Sequence, residues 1–209
     1  MTDPEHLRRL NQAETIVRNV VGNRNCRNYF RDNCTNGAGA NALQQAFNNA
    51  RIYHMPTDDN VFGAQSGTSP NIAFNLRAFR IGPNMMASTL LHEMFHTCDP
   101  NFDALDELDA ENAVETCRLH TPWIDTVSPR SGAVGSRVTI RGWGFGPTRG
   151  PSDEVRIGGV TAPIVSWVFM TDNSSRVEIV AEVPAGASAG GVVVINNRVT
   201  SNTSRFAVV

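Results

Sequence analysis

The character of this chain changes abruptly after Thr121-Pro122-Trp123, and that break constrains its architecture more than any other feature. Before it, apolar residues recur at helical spacing among many charges. Beyond it, charges thin out and Gly, Val, Ser and Thr dominate. Short β-type runs then alternate with turn residues, at 137–140, 154–157, 177–180, 192–195 and 205–209. Such spacing predicts an all-β sandwich. The first 122 residues mix helical and strand patterns and predict an α+β domain. A chain of 209 residues has room for two such domains, 1–122 and 123–209.

In the first domain, Leu7, Leu10, Ala13, Ile16, Val17, Val20 and Val21 predict a helix over 5–22. Residues 26–41, rich in Asn, Gly and Cys, predict a loop, and 42–50 a second helix. A short strand is expected at 51–54, then a loop over 56–70. Ile72-Ala73-Phe74-Asn75-Leu76 alternates and predicts a strand, continued through Phe79 and Ile81 after a bulge. Pro83-Asn84 suits a helix start, with Asn84 as cap, and a helix is expected over about 84–97. Asp99-Pro100-Asn101 breaks it, and 105–119 reads as a further helix with an acidic start.

Composition excludes several functions. Net charge is −2, which gives no basic field for nucleic acid. No run approaches the roughly 18 apolar residues of a membrane span. Met1-Thr2-Asp3-Pro4-Glu5-His6 is polar, and no signal peptide is legible. All 18 basic residues are arginine, from codon usage or from selection against lysine-directed modification. Four cysteines, Cys26, Cys34, Cys98 and Cys117, allow three pairings. Sequence proximity favours Cys26–Cys34 and Cys98–Cys117. Two disulfides imply an oxidising compartment and hence a secreted protein. A structural zinc bound by the cysteines is the weaker reading, since no C-x-x-C pair exists.

The chemistry-bearing stretch is His92-Glu93-Met94-Phe95-His96, which reads H-E-x-x-H inside an apolar run. On a helix, residues four apart share a face, so both imidazoles can point at one metal ion. Glu93 lies beside them, placed to take a proton from a water. Two histidine ligands and a glutamate base predict a zinc-dependent hydrolase.

Two histidines do not complete a zinc site, and the H-E-x-x-H families complete it differently. The metzincin pattern fails, because Asp99 and Phe102 stand where it needs Gly and His. Asp103 and Asp106 partly resemble the aspzincin ligand, and Asn112-Ala113 resembles an N-A-D segment of that family, but no Tyr follows Tyr53. Glu107-Leu108-Asp109-Ala110-Glu111 resembles the gluzincin E-x-x-A-[D/N] helix more closely. That resemblance implies a zincin-like metallopeptidase with Zn2+ held by His92, His96 and Glu107, with Glu111 as the alternative ligand and Asp106 ranked third. Its small Ala110 lets the helices approach, and Glu111 is placed to orient a ligating histidine. Glu111 and Glu115 could form the same pair one turn later, and a Cys98–Cys117 bridge would favour Glu111.

Beyond residue 122, Ile124 to Gly132 carries an S-P-x-x-G turn, and Val134 to Gly146 carries a strand followed by Gly142-Trp143-Gly144-Phe145-Gly146. Val155 to Gly159, Val183-Pro184-Ala185-Gly186 and Ser201-Asn202 follow in order. Together they resemble the IPT/TIG family of immunoglobulin-like domains over nearly all of 123–209. The resemblance implies an accessory module for binding or spacing, making surface, carbohydrate or protein contacts. No His, Cys or acidic cluster there is suited to chemistry.

The expected activity is hydrolysis of a protein or peptide substrate, with Glu93 as general base towards a zinc-activated water and as proton donor to the leaving amine. Tyr53, His54, Arg118 and His120 are candidates for oxyanion stabilisation. The strand at 72–76 is expected to pair, as an edge strand, with an extended substrate. Two further readings stand beside this one. The first half could belong to an inactive binding or adhesion protein, or to a protease effector or toxin. A Glu93→Gln variant should lose turnover yet keep zinc only if the protein is an enzyme.

Overall fold

A computed structural model describes residues 3–34, 39–55, 62–65, 69–98, 104–170 and 174–209, with backbone alone at 40 and 104–106. They form two compact units, Met1–His120 and Thr121–Val209.

The N-terminal unit opens with α1 (Pro4–Val21), capped by Asp3, whose side chain accepts from the Glu5 and His6 N–H groups. Leu10, Ala13, Val17 and Val21 are its buried stripe. Next comes α2 (Arg24–Asn33), capped in the same way by Asn23. The loop expected over 26–41 is therefore helical across most of its described part. A 3-10 turn at Gly39–Asn41 leads into α3 (Ala42–Asn49). Then come β1 (Arg51–Met55), β2 (Gly63–Gln65) and β3 (Asn71–Asn75).

The sheet order is β1-β3-β2, with β1 parallel and β2 antiparallel to β3. The strand at 72–76 is thus central, not an edge. Its N–H and C=O groups are used on both sides, and the edge beside it is β2, inside the stretch expected to be loop. Phe79 and Ile81 do not extend β3. Asn75 accepts from the Arg77 and Ala78 N–H groups and starts α4 (Leu76–Ile81), so the chain turns away from the sheet there.

Gly82, at φ 126°, separates α4 from α5 (Pro83–His96), and Pro83 occupies the first helical turn. The cap position is therefore Gly82 rather than Asn84. Every residue of α5 from Met85 to His96 is buried. A helix covered on all sides becomes the centre of its domain; α1, α3, α4, β2, β3 and α6 (Ala104–Thr116) all pack on it. The helix expected to reach residue 119 ends at Thr116.

Two disulfides join this unit, Cys26–Cys117 and Cys34–Cys98. The pairing by sequence proximity is wrong, and α2 is the reason. Eight residues at about 1.5 Å per residue set Cys26 and Cys34 roughly 12 Å apart, beyond the ~7 Å Cα limit of a disulfide. Instead α2 is bonded to the ends of α5 and α6.

The C-terminal unit is a β-sandwich. One sheet runs β4 (Trp123–Ser128), β6 (Arg137–Trp143), β10 (Val177–Glu182), β9 (Ile164–Phe169). The other runs β5 (Ser131–Gly132), β13 (Ser204–Val208), β11 (Gly190–Asn196), β7 (Glu154–Ile157), β8 (Val160–Ala162), with β12 (Val199–Thr200) paired to β11. Alternate residues face inward, among them Val138 and Ile140, Val155 and Ile157, Ile179 and Ala181, Val192 and Val194. A Cβ at Gly142 would fall 2.0 Å from the Trp123 carbonyl oxygen, so only glycine admits the close approach of its neighbour β4 there. Gly144 and Gly146 take positive φ and fold Phe145 into the core.

Candidate metal centre

On α5, Thr89, His92, Glu93 and His96 fall at i, i+3, i+4 and i+7, a single stripe roughly 100° wide. His92 forms one flank and meets α6; Glu93 forms the other and meets β2. All four are buried because their helix is.

On the α6 flank, the Nε2 atoms of His92 and His96 lie 3.0 Å apart. Glu107 Oε2 is 3.4 Å from His92 Nε2, and its Oε1 is 3.7 Å from His96 Nε2. The ligand atoms of these three residues lie within 4.8 Å of one another. Zinc bonds of about 2.0–2.2 Å at tetrahedral angles would separate ligand atoms by roughly 3.3–3.5 Å. The observed triangle brackets that value, and two imidazoles with one carboxylate is a donor set zinc accepts. Neutral imidazole nitrogens at 3.0 Å also need a proton or a cation between them.

Glu111, one turn beyond Glu107, reaches the other nitrogen of His92, with Oε1 3.1 Å from Nδ1. A neutral His92 donating there presents its Nε2 lone pair to the cluster. Burial disfavours charge on His92, but Glu107 and Glu111 outweigh it and hold its pKa well above the ordinary histidine value when no metal is bound. Glu107 is the most exposed of these side chains, so the cluster meets solvent on its side. Asp103 lies outside the described residues, and so does the side chain of Asp106.

On the other flank, β2 crosses the Thr89–Glu93 turn. A Cβ at Gly63 would sit 2.6 Å from Thr89 Cγ2, 3.1 Å from the Ala73 carbonyl oxygen and 3.4 Å from Glu93 Oε1. The carboxylate of Glu93 therefore lies alongside the backbone of the edge strand.

What aligns α5 with α6 is α2. The rings of Tyr29 and Phe30 pack on Phe95 of α5 at 5.9 and 5.5 Å. The Tyr29 hydroxyl donates to the Asp109 carbonyl oxygen of α6 at 3.0 Å. Burial first, then the Asp109 carboxylate, raises the Tyr29 pKa far above that of a free phenol, so it stays a donor. The two disulfides complete the brace. Sequence reasoning missed Tyr29, Gly63 and Thr89. The Cys26, Tyr29, Phe30 spacing of i, i+3, i+4 was the signal for the first.

The oxyanion candidates are dispersed. Tyr53 is half exposed on β1, the sheet edge opposite β2. His54 packs against the rings of His6 and Phe79 at 5.6 and 5.4 Å. Arg118 is exposed just past α6, and His120 is buried beyond it.

The C-terminal sandwich has the class of an immunoglobulin-like β domain. Residues 122–208 match the IPT/TIG domain family, and this part of the chain is an IPT/TIG domain. No curated protein matches the chain. Among solved structures, a gamma-CGTase from alkalophilic Bacillus clarkii is 28% identical, with a TM-score of 0.35, over 43% of this chain and 12% of that one. An auxiliary nutrient binding protein from Bacteroides thetaiotaomicron is 22% identical with a TM-score of 0.35, and one from Bacteroides ovatus is 20% identical with 0.33. Each of these two matches covers 43% of this chain and 21% of the solved one. The chain thus spans about a fifth or less of these proteins, and the likeness lies in the β domain. Two disulfides fit an extracellular setting. Among the described residues no helix is long and apolar enough to cross a membrane.

Proposed function

We propose that the N-terminal unit is a zincin-like, zinc-dependent metallopeptidase carrying the IPT/TIG domain as an accessory binding or spacing module. The observation that carries this reading is the convergence of His92 Nε2, His96 Nε2 and the Glu107 carboxylate, with Glu93 on the next flank of the same stripe.

His92, His96 and Glu107 would hold the ion, and Glu111 would fix the His92 tautomer. A zinc ion bound there supplies Lewis acidity and makes water acidic enough to deprotonate near neutral pH. Glu93 accepts the proton of the attacking water and delivers it to the leaving amine. Among the described residues β2 is the sheet edge on this side, and an extended peptide laid along it would bring its scissile carbonyl beside Glu93.

The test uses the full chain. Zinc content is measured by elemental analysis, and turnover on a quenched-fluorophore peptide library. Wild type should hold about one zinc per chain and cleave; Glu93→Gln should keep the metal and lose about 3–4 decades of turnover, the share of general base catalysis and of its coupling to the nucleophile. Full zinc without cleavage of any peptide or unfolded protein would favour a binding protein instead.

A further inference from the structure

We infer that Gly63 is a positioning residue for Glu93, and that the absence of a side chain there sets how closely the edge strand approaches the base. The inference rests on the metallopeptidase reading.

Thr89 and Glu93 are one turn apart on α5, and β2 crosses directly above them. The 2.6 Å between a Cβ at Gly63 and Thr89 Cγ2 is closer than real Cβ atoms come, and 3.1 Å to the Ala73 carbonyl oxygen is tight. The strand cannot slip to relieve this. Gly63 pairs with Phe74 and Gln65 with Ile72, and Phe62, Ile72 and Phe74 are buried on either side. A one-residue slip would also turn every side chain of β2 to the other face. Any side chain at 63 must therefore push against Thr89 and the Ala73 carbonyl oxygen, and the shift this forces falls where Glu93 Oε1 lies in contact with the strand. No left-handed backbone calls for glycine at this position, since Gly63 is not among the positive-φ residues. Close approach to the helix is the physical reason for it.

The experiment is a double-mutant cycle of Gly63→Ala with Thr89→Ser, which deletes the methyl the new Cβ would strike. Zinc content, kcat and KM are measured for the holoprotein, and calorimetric melting for the metal-free chain. In Gly63→Ala, kcat should fall roughly 10–100-fold, as for misplacement of a catalytic group by a fraction of an ångström to an ångström. KM should change little, zinc should stay stoichiometric, and the melting of the metal-free N-terminal unit should drop by several degrees. Gly63→Ala/Thr89→Ser should recover most of both losses relative to Thr89→Ser alone.

A Gly63→Ala chain that turns over at the wild-type rate overturns the inference, and so does a defect that Thr89→Ser does not relieve. If Gly63→Ala does not fold, recovery of folding and turnover in the double variant supports it; failure of both to fold overturns it. A wild-type chain that neither holds zinc nor cleaves peptides defeats the metallopeptidase reading itself, a result separable from the others.

Discussion

The two units bury polar side chains in opposite ways. In the C-terminal unit, Asp153 accepts from the Gly150 N–H, Asn196 Nδ2 and the Asn197 N–H, while Asn196 also donates to the Phe145 carbonyl oxygen. These bonds pin the loops at Gly150 and Asn197 to the sandwich. In the N-terminal unit, Thr89, His92, Glu93 and His96 are buried on one helix, and two imidazole nitrogens face each other across 3.0 Å. The first arrangement holds loops in place; the second gathers side chains of the types that could hold a metal ion. The chemical inventory divides accordingly. Every cysteine and histidine lies in the first 120 residues, and all three tryptophans lie beyond them.

That division gives the largest expected effect. The disulfides close segments separated by 91 and 64 residues, and one such closure is worth roughly 4 kcal/mol in chain entropy. A dithiol reductant, or serine at all four cysteines, should release α6 from α2 and melt the N-terminal unit with loss of zinc. The C-terminal unit has no cysteine, so Trp143 and Trp167 emission should not change. Loss of tryptophan signal in step with zinc would erase the distinction between the units.

The reciprocal perturbation is Phe145→Ala. Phe145 is fully buried, and its removal should cost about 3–5 kcal/mol. The loss should appear in the tryptophan-detected transition while zinc binding by the N-terminal unit is retained. A drop in zinc affinity in this variant would mean that the units do not fold independently.

Within the proposed metal centre, Glu107 and Glu111 are the pair to separate. Glu107→Gln should abolish tight zinc binding, whereas Glu111→Gln should weaken it about 10–100-fold by freeing His92 Nδ1. Competition against a chromogenic chelator reads both. The reverse order would make Glu111 the ligand.

How far the sequence anticipated this depends on what holds each element. Where burial alone decides, periodicity is legible: α1 and α3 follow the 3.6-residue pattern, and β6, β7, β10 and β11 alternate. Elements held by a few specific contacts were hidden. α2 buries only Cys26 and Phe30, and depends on its Asn23 cap, two disulfides and the ring of Phe95. β9, Ile164-Val165-Ser166-Trp167-Val168-Phe169, loses its alternation at a register shift opposite Val180–Ala181, so that Ile164 and then Trp167 and Phe169 pack on the core. The H-E-x-x-H residues were legible because spacing on a helix fixes their direction. The edge strand beside Glu93 was not, because β2 is three residues long and opens with a glycine, a residue strands usually avoid.

The smallest expected effect lies at the far end of the same unit, and it separates surface electrostatics from the buried cluster. Glu5 accepts from Arg8 Nε and Nη2 at 2.8 and 2.7 Å and from Arg9 Nε at 2.7 Å. These bonds, Arg8 first and then Arg9, lower its pKa from 4.5 to about 2. The folded value lies below the unfolded one, so the stabilisation is fully present above about pH 4.5 and is lost as pH falls from there through about 2. Arg9 also donates to the Phe79 carbonyl oxygen in α4, so protonating Glu5 loosens a link between α1 and α4. Because Glu5 is exposed, salt should shrink the effect. A Glu5→Gln variant should lose this part of the acid response of the N-terminal unit and leave the C-terminal transition untouched. Carbon-detected titration of the Glu5 carboxyl gives the direct check, and a midpoint near 4.5 would show that the two arginines do not hold it in solution.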